Sequence, residues 1–345
     1  MIKGAVLHPF IYLIAYIPGI VALCTLTVGG FWTWSVPILI FGCVPLIELF
    51  WKGSGKNPST KEEQHLKSNI VFNTLLYGIV PLHCCVVGMF LFGLSLGWYS
   101  GLSSLGAIAT TGIACGMYGL NVGHELGHRR SRIGRYGALI LMGSSLYPHF
   151  LLEHTKGHHR HVATPQDPAT ARTGQWVYIF WFQSVLGGFK SAWTIDRRHV
   201  CRVWTATLVT GLCIALLFGS TAIFGWICAA VVGIGLLETV NYLEHYGLLR
   251  KQLPNGKYER PAPQHSWNAN HPLGRALLFE LTRHSDHHAY PGRPYQVLRS
   301  HKQAPCLPTG YPGMILCALV PPLFCHLMRQ HLARENERLK HLQAA

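Results

Sequence analysis

Charge is scarce in this chain. Only 12% of its 345 residues are Asp, Glu, Lys or Arg, against roughly 25% in an ordinary soluble domain. Acids are scarcer still, 14 in all, while 49% of the residues are apolar. Absent, too, is any C-x-x-C pair among the 11 cysteines. Nothing therefore points to a disulfide framework or to a cysteine-ligated iron site of the chain's own, and any redox chemistry needs electrons from elsewhere. Cys43, Cys84, Cys85, Cys115, Cys213 and Cys228 lie inside apolar runs and read as small buried hydrophobes. No internal repeat or low-complexity segment appears.

What is present is apolar length. A helix that crosses a bilayer needs about 20 mostly apolar residues. Residues 9–28, 33–51, 70–95, 102–122, 203–222 and 224–243 qualify, with no Lys, Arg or Asp near their centres. One such charge at mid-bilayer costs about 2.5–3.5 kcal/mol. The first run lacks a small-residue cleavage site and reads as an anchor helix rather than a signal peptide. Three further stretches, 133–152, 175–190 and 311–328, carry prolines or charged flanks and read as interfacial or re-entrant. The last 17 residues read as a solvated helix.

The formal charge of +15 resides in the loops. Lys52 to Lys67, Arg129-Arg130-Ser131-Arg132, residues 196–202 and the stretch after Arg250 are basic, whereas 29–32 and 96–101 carry no charge. Short basic loops mark the cytoplasmic face of an inner-membrane protein. The expectation is a single multi-pass membrane domain over 1–345, with both termini cytoplasmic and catalytic portions at 123–202 and 244–328. Nucleic-acid binding is not expected, but a basic face can steer an acidic protein partner.

Histidine is the second excess: 21 residues, more than all the acids together. Nine fall into four groups: His124 and His128; His154, His158 and His159; His245 alone; His284, His287 and His288. Residues three or four apart share a helix face, so 124/128, 154/158 and 284/287 can each present two imidazoles to one centre. His159 and His288, about 100° away, can serve a second metal nearby. Eight or nine nitrogens are enough for two metals and too many for one. Isolated histidines such as His8 and His83 read as interfacial or hydrogen-bonded residues. His149, His161, His265 and His271 lie near the groups without their spacing.

Acids accompany each group. Glu125, Glu153, Glu244 and Asp286 sit beside histidines, Glu238 and Asn241 share a helix face with His245, and Glu280 shares one with His284. Metal-bound histidines usually give their second N–H to a carboxylate or carbonyl, which suits all seven residues as orienting partners. Spacing leaves open which of them touch metal. His124-Glu-Leu-Gly-His128 also matches the H-E-x-x-H of zinc peptidases, but a peptidase leaves seven clustered histidines unexplained. Imidazole suits zinc, copper, iron or nickel. Two redox metals against an apolar bundle point to dioxygen activation, and iron is the economical choice.

At these residues the chain resembles the membrane alkane monooxygenase (alkane ω-hydroxylase) family, within the fatty acid desaturase and hydroxylase superfamily. The histidine boxes match the generic superfamily pattern. Asn241-Tyr-Leu-Glu-His245-Tyr-Gly-Leu resembles the more specific N-Y-x-E-H-Y-G motif, and Glu153 to Ala169, Gln264 to Asn268, Leu281 to His288 and Pro308 to Met314 are similar to the same family. Arg160 and His161 depart from the usual V-R pair, and the N-terminal quarter is less similar. The resemblance implies an all-α integral membrane fold, a six-helix transmembrane bundle with a cytoplasmic histidine-rich cap. The nine histidines would hold two non-haem iron ions in that cap. It implies hydroxylation of the terminal methyl of a linear alkane or similar apolar chain with O2. Electrons would come from a separate rubredoxin or ferredoxin served by an NAD(P)H-dependent reductase. A xylene-type methyl hydroxylase and a fatty-acyl or carotenoid oxygenase are the neighbouring enzyme readings. A metal-binding membrane transporter is the non-enzyme one.

Overall fold

In a solvent without hydrogen-bonding partners a backbone must satisfy itself, and an uncharged apolar run does so as a helix. The computed structural model describes residues 8–51 and 53–344. Lys52, which opens the first basic loop, and residues 1–7 lie outside them. The chain is all-helical: among the described residues only two isolated β-bridges form, Gln252 with Tyr258 and Asn268 with Cys306. Five helices are long and apolar enough to cross a membrane: α1 (Pro9–Val28), α2 (Gly30–Phe50), α4 (Ile70–Ser95), α5 (Leu102–Gly127) and α8 (Val177–His245). Between them lie α3 (Thr60–Ser68), α6 (Arg132–Ser144) and α7 (residues 150–161). After α8 come α9 (Pro272–Leu277), α10 (His284–Ala289), α11 (Tyr311–Ala318) and α12 (Pro321–Ala344).

The 69 residues of α8 are interrupted twice. Asp196 (φ −156°, ψ 87°) and Gly219 (φ 84°, ψ 177°) leave the helical region. Gly219 adopts a positive φ that a side chain would resist, so the break between the last two apolar runs falls there rather than at residue 223. The helix then runs unbroken to His245. Helix α5 likewise continues past residue 122 and carries His124 inside the helix. Of the three ambiguous stretches, 133–152 yields the 13-residue α6 and 311–328 breaks between α11 and α12. Residues 175–190 become the opening turns of α8, before the Asp196 bend.

Small residues bring α5 against its neighbours. A Cβ added at Gly112 would stand 2.5 Å from Val232 on α8, and one at Gly233 would stand 2.6 Å from Cys115. Gly119 and Gly123 open the same helix to Ser145 and to Met142 of α6. Such close approach is how apolar helices associate when lipid competes for hydrophobic contact. Polar side chains inside the bundle bond to backbone, as Tyr118 Oη does to Ala15 O at 2.7 Å and Thr110 Oγ1 to Thr33 O at 2.7 Å. His83 is buried and meets Ser144 Oγ at 2.9 Å.

The outer faces are apolar, with Phe31, Phe50, Leu102, Leu216, Leu217 and Phe224 exposed. The cysteines correct one expectation. Cys115 is buried, but Cys43, Cys84, Cys85 and Cys213 lie exposed on those outer faces and Cys228 is half-buried. In a membrane helix an apolar position can face lipid, so apolar surroundings in sequence do not imply burial in protein.

Candidate metal centre

Four segments carry the nine clustered histidines to one end of the bundle. The end of α5 brings His124 and His128, α7 brings His154, His158 and His159, the last residue of α8 is His245, and α10 brings His284, His287 and His288. Their nitrogens fall into two groups, each within 4.8 Å. One holds His124, His128, His154, His159 and His287; the other holds His158, His245, His284 and His288.

This grouping differs from the pairing that spacing suggests. His124 and His128 stay together, but 154/158 and 284/287 are each divided between the groups. The cause in α7 is a π-helical turn over His154–His158. Wider winding puts residues five apart on one face, so His154 joins His159 and sends His158 to the other group. In α10 the ordinary four-residue step pairs His284 with His288.

The ring nitrogens converge as metal ligands do. Nε2 atoms face one another at 2.9 Å for His124 and His287, 2.9 Å for His154 and His159, and 3.1 Å for His159 and His287. In the second group the separations are 3.2 Å for His158 and His288, 3.2 Å for His245 and His284, and 2.8 Å for His284 and His288. Nitrogens about 2.1 Å from one ion and at right angles to each other stand about 3.0 Å apart. Hydrogen bonding cannot supply this pattern. A neutral imidazole has one N–H, and His154, His159, His287 and His124 form a series too long for single protons to satisfy. His128 Nε2 and the Nδ1 atoms of His154, His159, His284 and His288 are also buried without a partner. The donor set therefore fits bound metal.

Electrostatics agree. Burial, followed by the neighbouring imidazoles, holds His154, His159, His284, His287 and His288 well below the usual histidine range. Burial and then Arg129 bring His128 down to about 4. These rings are neutral, as ligands must be. His158 is the exception: burial alone would lower it, but the Asp167 carboxylate, 3.0 Å from Nδ1, holds it above the usual value.

The seven anticipated partners divide. Glu244 Oε2 lies 3.2 Å from His284 Nε2. Glu153 is buried in the wall beside His154 and His158, with burial first among the causes that push it up to about 7. Glu238 is held by Tyr147 Oη at 2.8 Å and Asn241 Nδ2 at 3.2 Å, both in that wall. Glu125 turns to Arg129 (2.8 Å), Glu280 to Arg275 (2.7 Å), and Asp286 to Arg293 and His301 (both 2.6 Å). Those three tie the surrounding loops together and touch no clustered histidine. His149, His161, His265 and His271 stay outside both groups.

Asp167 is the partner that spacing missed. Its side chain is fully buried, accepting from Thr170 Oγ1 at 2.6 Å as well as facing His158. One signal was available: it is the only acid between Glu153 and Asp196. Beside the centre lies a narrow apolar cavity of about 60 Å³, lined by Phe41, Ile113, Met117, Leu236, Leu278 and Ile315. Asn121, Leu281 and Tyr311 complete its wall toward the histidines.

A helical bundle with nine converging imidazoles beside an apolar slot defines the histidine-rich membrane oxygenase and desaturase class. A family profile for fatty acid desaturases matches residues 96–316. The chain is 39% identical over 311 residues to alkane 1-monooxygenase 1 of Alcanivorax borkumensis, spanning 86% of this chain and 77% of that one. To alkane 1-monooxygenase of Ectopseudomonas oleovorans it is 36% identical over 313 residues, spanning 85% and 76%. The xylene/toluene monooxygenase hydroxylase component XylM of Pseudomonas putida is 27% identical over 326 residues, with 89% and 84% covered. The chain belongs to the alkane 1-monooxygenase family.

Proposed function

We propose that the protein is an alkane 1-monooxygenase of the membrane, binding two iron ions through its nine clustered histidines. The reaction takes R–CH3, O2, two electrons and two protons to R–CH2OH and water. The observation that carries this reading is two imidazole groups near an apolar cavity whose lining includes Asn121 and Leu281, three residues before His124 and His284, and Tyr311, which bonds Glu244. Bound iron would supply the power to activate dioxygen against an unactivated C–H bond. The chain's own contribution is placement. His124, His128, His154, His159 and His287 would hold one ion, and His158, His245, His284 and His288 the other. Phe41, Ile113, Met117 and Leu278 would grip the hydrocarbon and keep water from the reacting methyl.

In this reading the spans of α1, α2, α4, α5 and the last two segments of α8 make six crossings of the inner membrane, with the histidines and both termini on the basic, cytoplasmic side. The electron donor is a separate rubredoxin-type protein. A cleft of about 730 Å³ edged by Lys156, Arg160, Arg172 and Lys190, with Asp167 the one acid in its lining, supports an acidic partner there. Product analysis after supply of rubredoxin, its reductase and NADH tests the assignment. Octane or dodecane should yield the 1-alcohol; oxidation of xylene alone would favour the methyl-hydroxylase reading that the XylM similarity supports.

A further inference from the structure

Of the acids around the centre, one faces the side of a histidine on which metal would sit. Asp167 touches the rear nitrogen of His158, Nδ1, as an orienting carboxylate does. Glu244 Oε2 instead lies 3.2 Å from His284 Nε2. That nitrogen also stands 3.2 Å from His245 Nε2 and 2.8 Å from His288 Nε2. The second carboxylate oxygen of Glu244 accepts from Tyr311 Oη at 2.8 Å. Glu244 is 1% exposed and Tyr311 is sealed from solvent. Among the described residues no Lys or Arg pairs with Glu244. A buried carboxylate held by a neutral phenol alone lacks the counter-charge that burial requires.

Two arrangements could supply what is missing. A proton could lie between Glu244 Oε2 and His284 Nε2, on the imidazole or on the carboxyl, but in either case that nitrogen could bind no metal. Alternatively an ion on the Nε2 side draws in both groups. The histidine groups number five and four, so the four-histidine group is the one short of a donor. On the reading that these histidines bind two metals, we infer that Glu244 is a direct ligand of the metal held by His158, His245, His284 and His288. Tyr311 positions the carboxylate by holding its other oxygen. Since Tyr311 also lines the apolar cavity, one phenol joins the substrate wall to the coordination sphere of that metal.

The test uses the full chain in lipid nanodiscs, loaded with cobalt(II) as a visible probe of coordination. The wild type should bind two ions per chain. Glu244→Ala should change the absorption bands of one ion and weaken its binding more than the ~100-fold that loss of an orienting partner causes. Added acetate should restore the wild-type bands. Tyr311→Phe should keep both ions yet shift the same bands, a change that a merely structural phenol would not cause. Wild-type bands and full loading in both Glu244→Ala and Glu244→Gln would overturn the assignment and leave the two-metal reading standing. Should Glu244→Ala fail to fold, Glu244→Gln and Tyr311→Phe decide by the same bands. A wild type that binds no cobalt would overturn both.

Discussion

Asp167→Asn should weaken one metal site and spare the other. The carboxylate is fully buried, 3.0 Å from His158 Nδ1, and is fixed by Thr170 Oγ1 at 2.6 Å and the Ala169 amide at 3.1 Å. In the proposed reading it fixes which nitrogen of His158 would face a metal and makes that nitrogen more basic. Loss of such a partner costs about 10- to 100-fold in metal affinity, or about 1.4 to 2.7 kcal/mol. Asparagine keeps an oxygen for Nδ1–H but loses the charge, so Asp167→Asn belongs near tenfold and Asp167→Ala near a hundredfold. The group built on His124, His128, His154, His159 and His287 has no contact with Asp167 and should bind as before. Chelator-competition titration of the protein in nanodiscs resolves the two sites. Equal weakening of both, or of neither, would show that Asp167 does not orient His158 toward one metal.

Four other consequences follow from the same geometry. Among the nine histidines, only His158 should give up a proton on metal binding near pH 6, and progressively none above its raised value, because the other rings are already neutral; calorimetry in buffers of different ionisation enthalpy reads it as the difference between the wild type and Asp167→Asn. In the metal-free protein, the raised His158 lends stability that is full below ~6.5 and fades as pH rises through its folded value. The lowered Asp167 lends stability that is present above ~3.9 and fades as pH falls through its folded value. Their pair should therefore contribute most between about pH 4 and 6.5. Gly233→Ala presses a methyl on Cys115 and the Gly112 carbonyl, parting α5 from α8. It should cost about 1–3 kcal/mol, read as a lower melting temperature in detergent together with metal loss, since the two helices carry His124 and His245. His245→Ala should lose metal from the four-histidine group and activity together; retention of both would remove it from the ligand set.

Much of this was legible in the chain because its physics is local. Apolar runs without charge marked α1, α2 and α4 to within about three residues, since charged loops bound them on one side and uncharged glycine-bearing turns, 29–32 and 96–101, on the other. Box spacing found the nine histidines that converge. It did not assign them to two groups, because His154 and His158 part company through a π-helical turn that no side chain announces. The bend at Gly219 was blurred by continuous apolar sequence on both sides. Asp167 went unassigned because it reaches His158 across a loop, a contact set by tertiary folding rather than by helical period. The same limit hid the turning of Glu280 and Asp286 toward arginines, whereas Glu125 and Arg129, four apart at a helix end, form a pair that helical period does offer. The outward-facing cysteines were misread because lipid and protein interior ask for the same residues.

The proposed function requires that two groups of imidazoles hold two irons that oxidise a hydrocarbon in the adjoining slot. Iron analysis of the purified protein in nanodiscs, coupled in the same sample to product identification from octane with rubredoxin, its reductase and NADH, tests it most directly. Two irons per chain and 1-octanol formed with matching oxygen consumption are the predicted result. Zinc in place of iron, or full iron loading with no oxygen consumed and no alcohol formed from a competent donor, would contradict it.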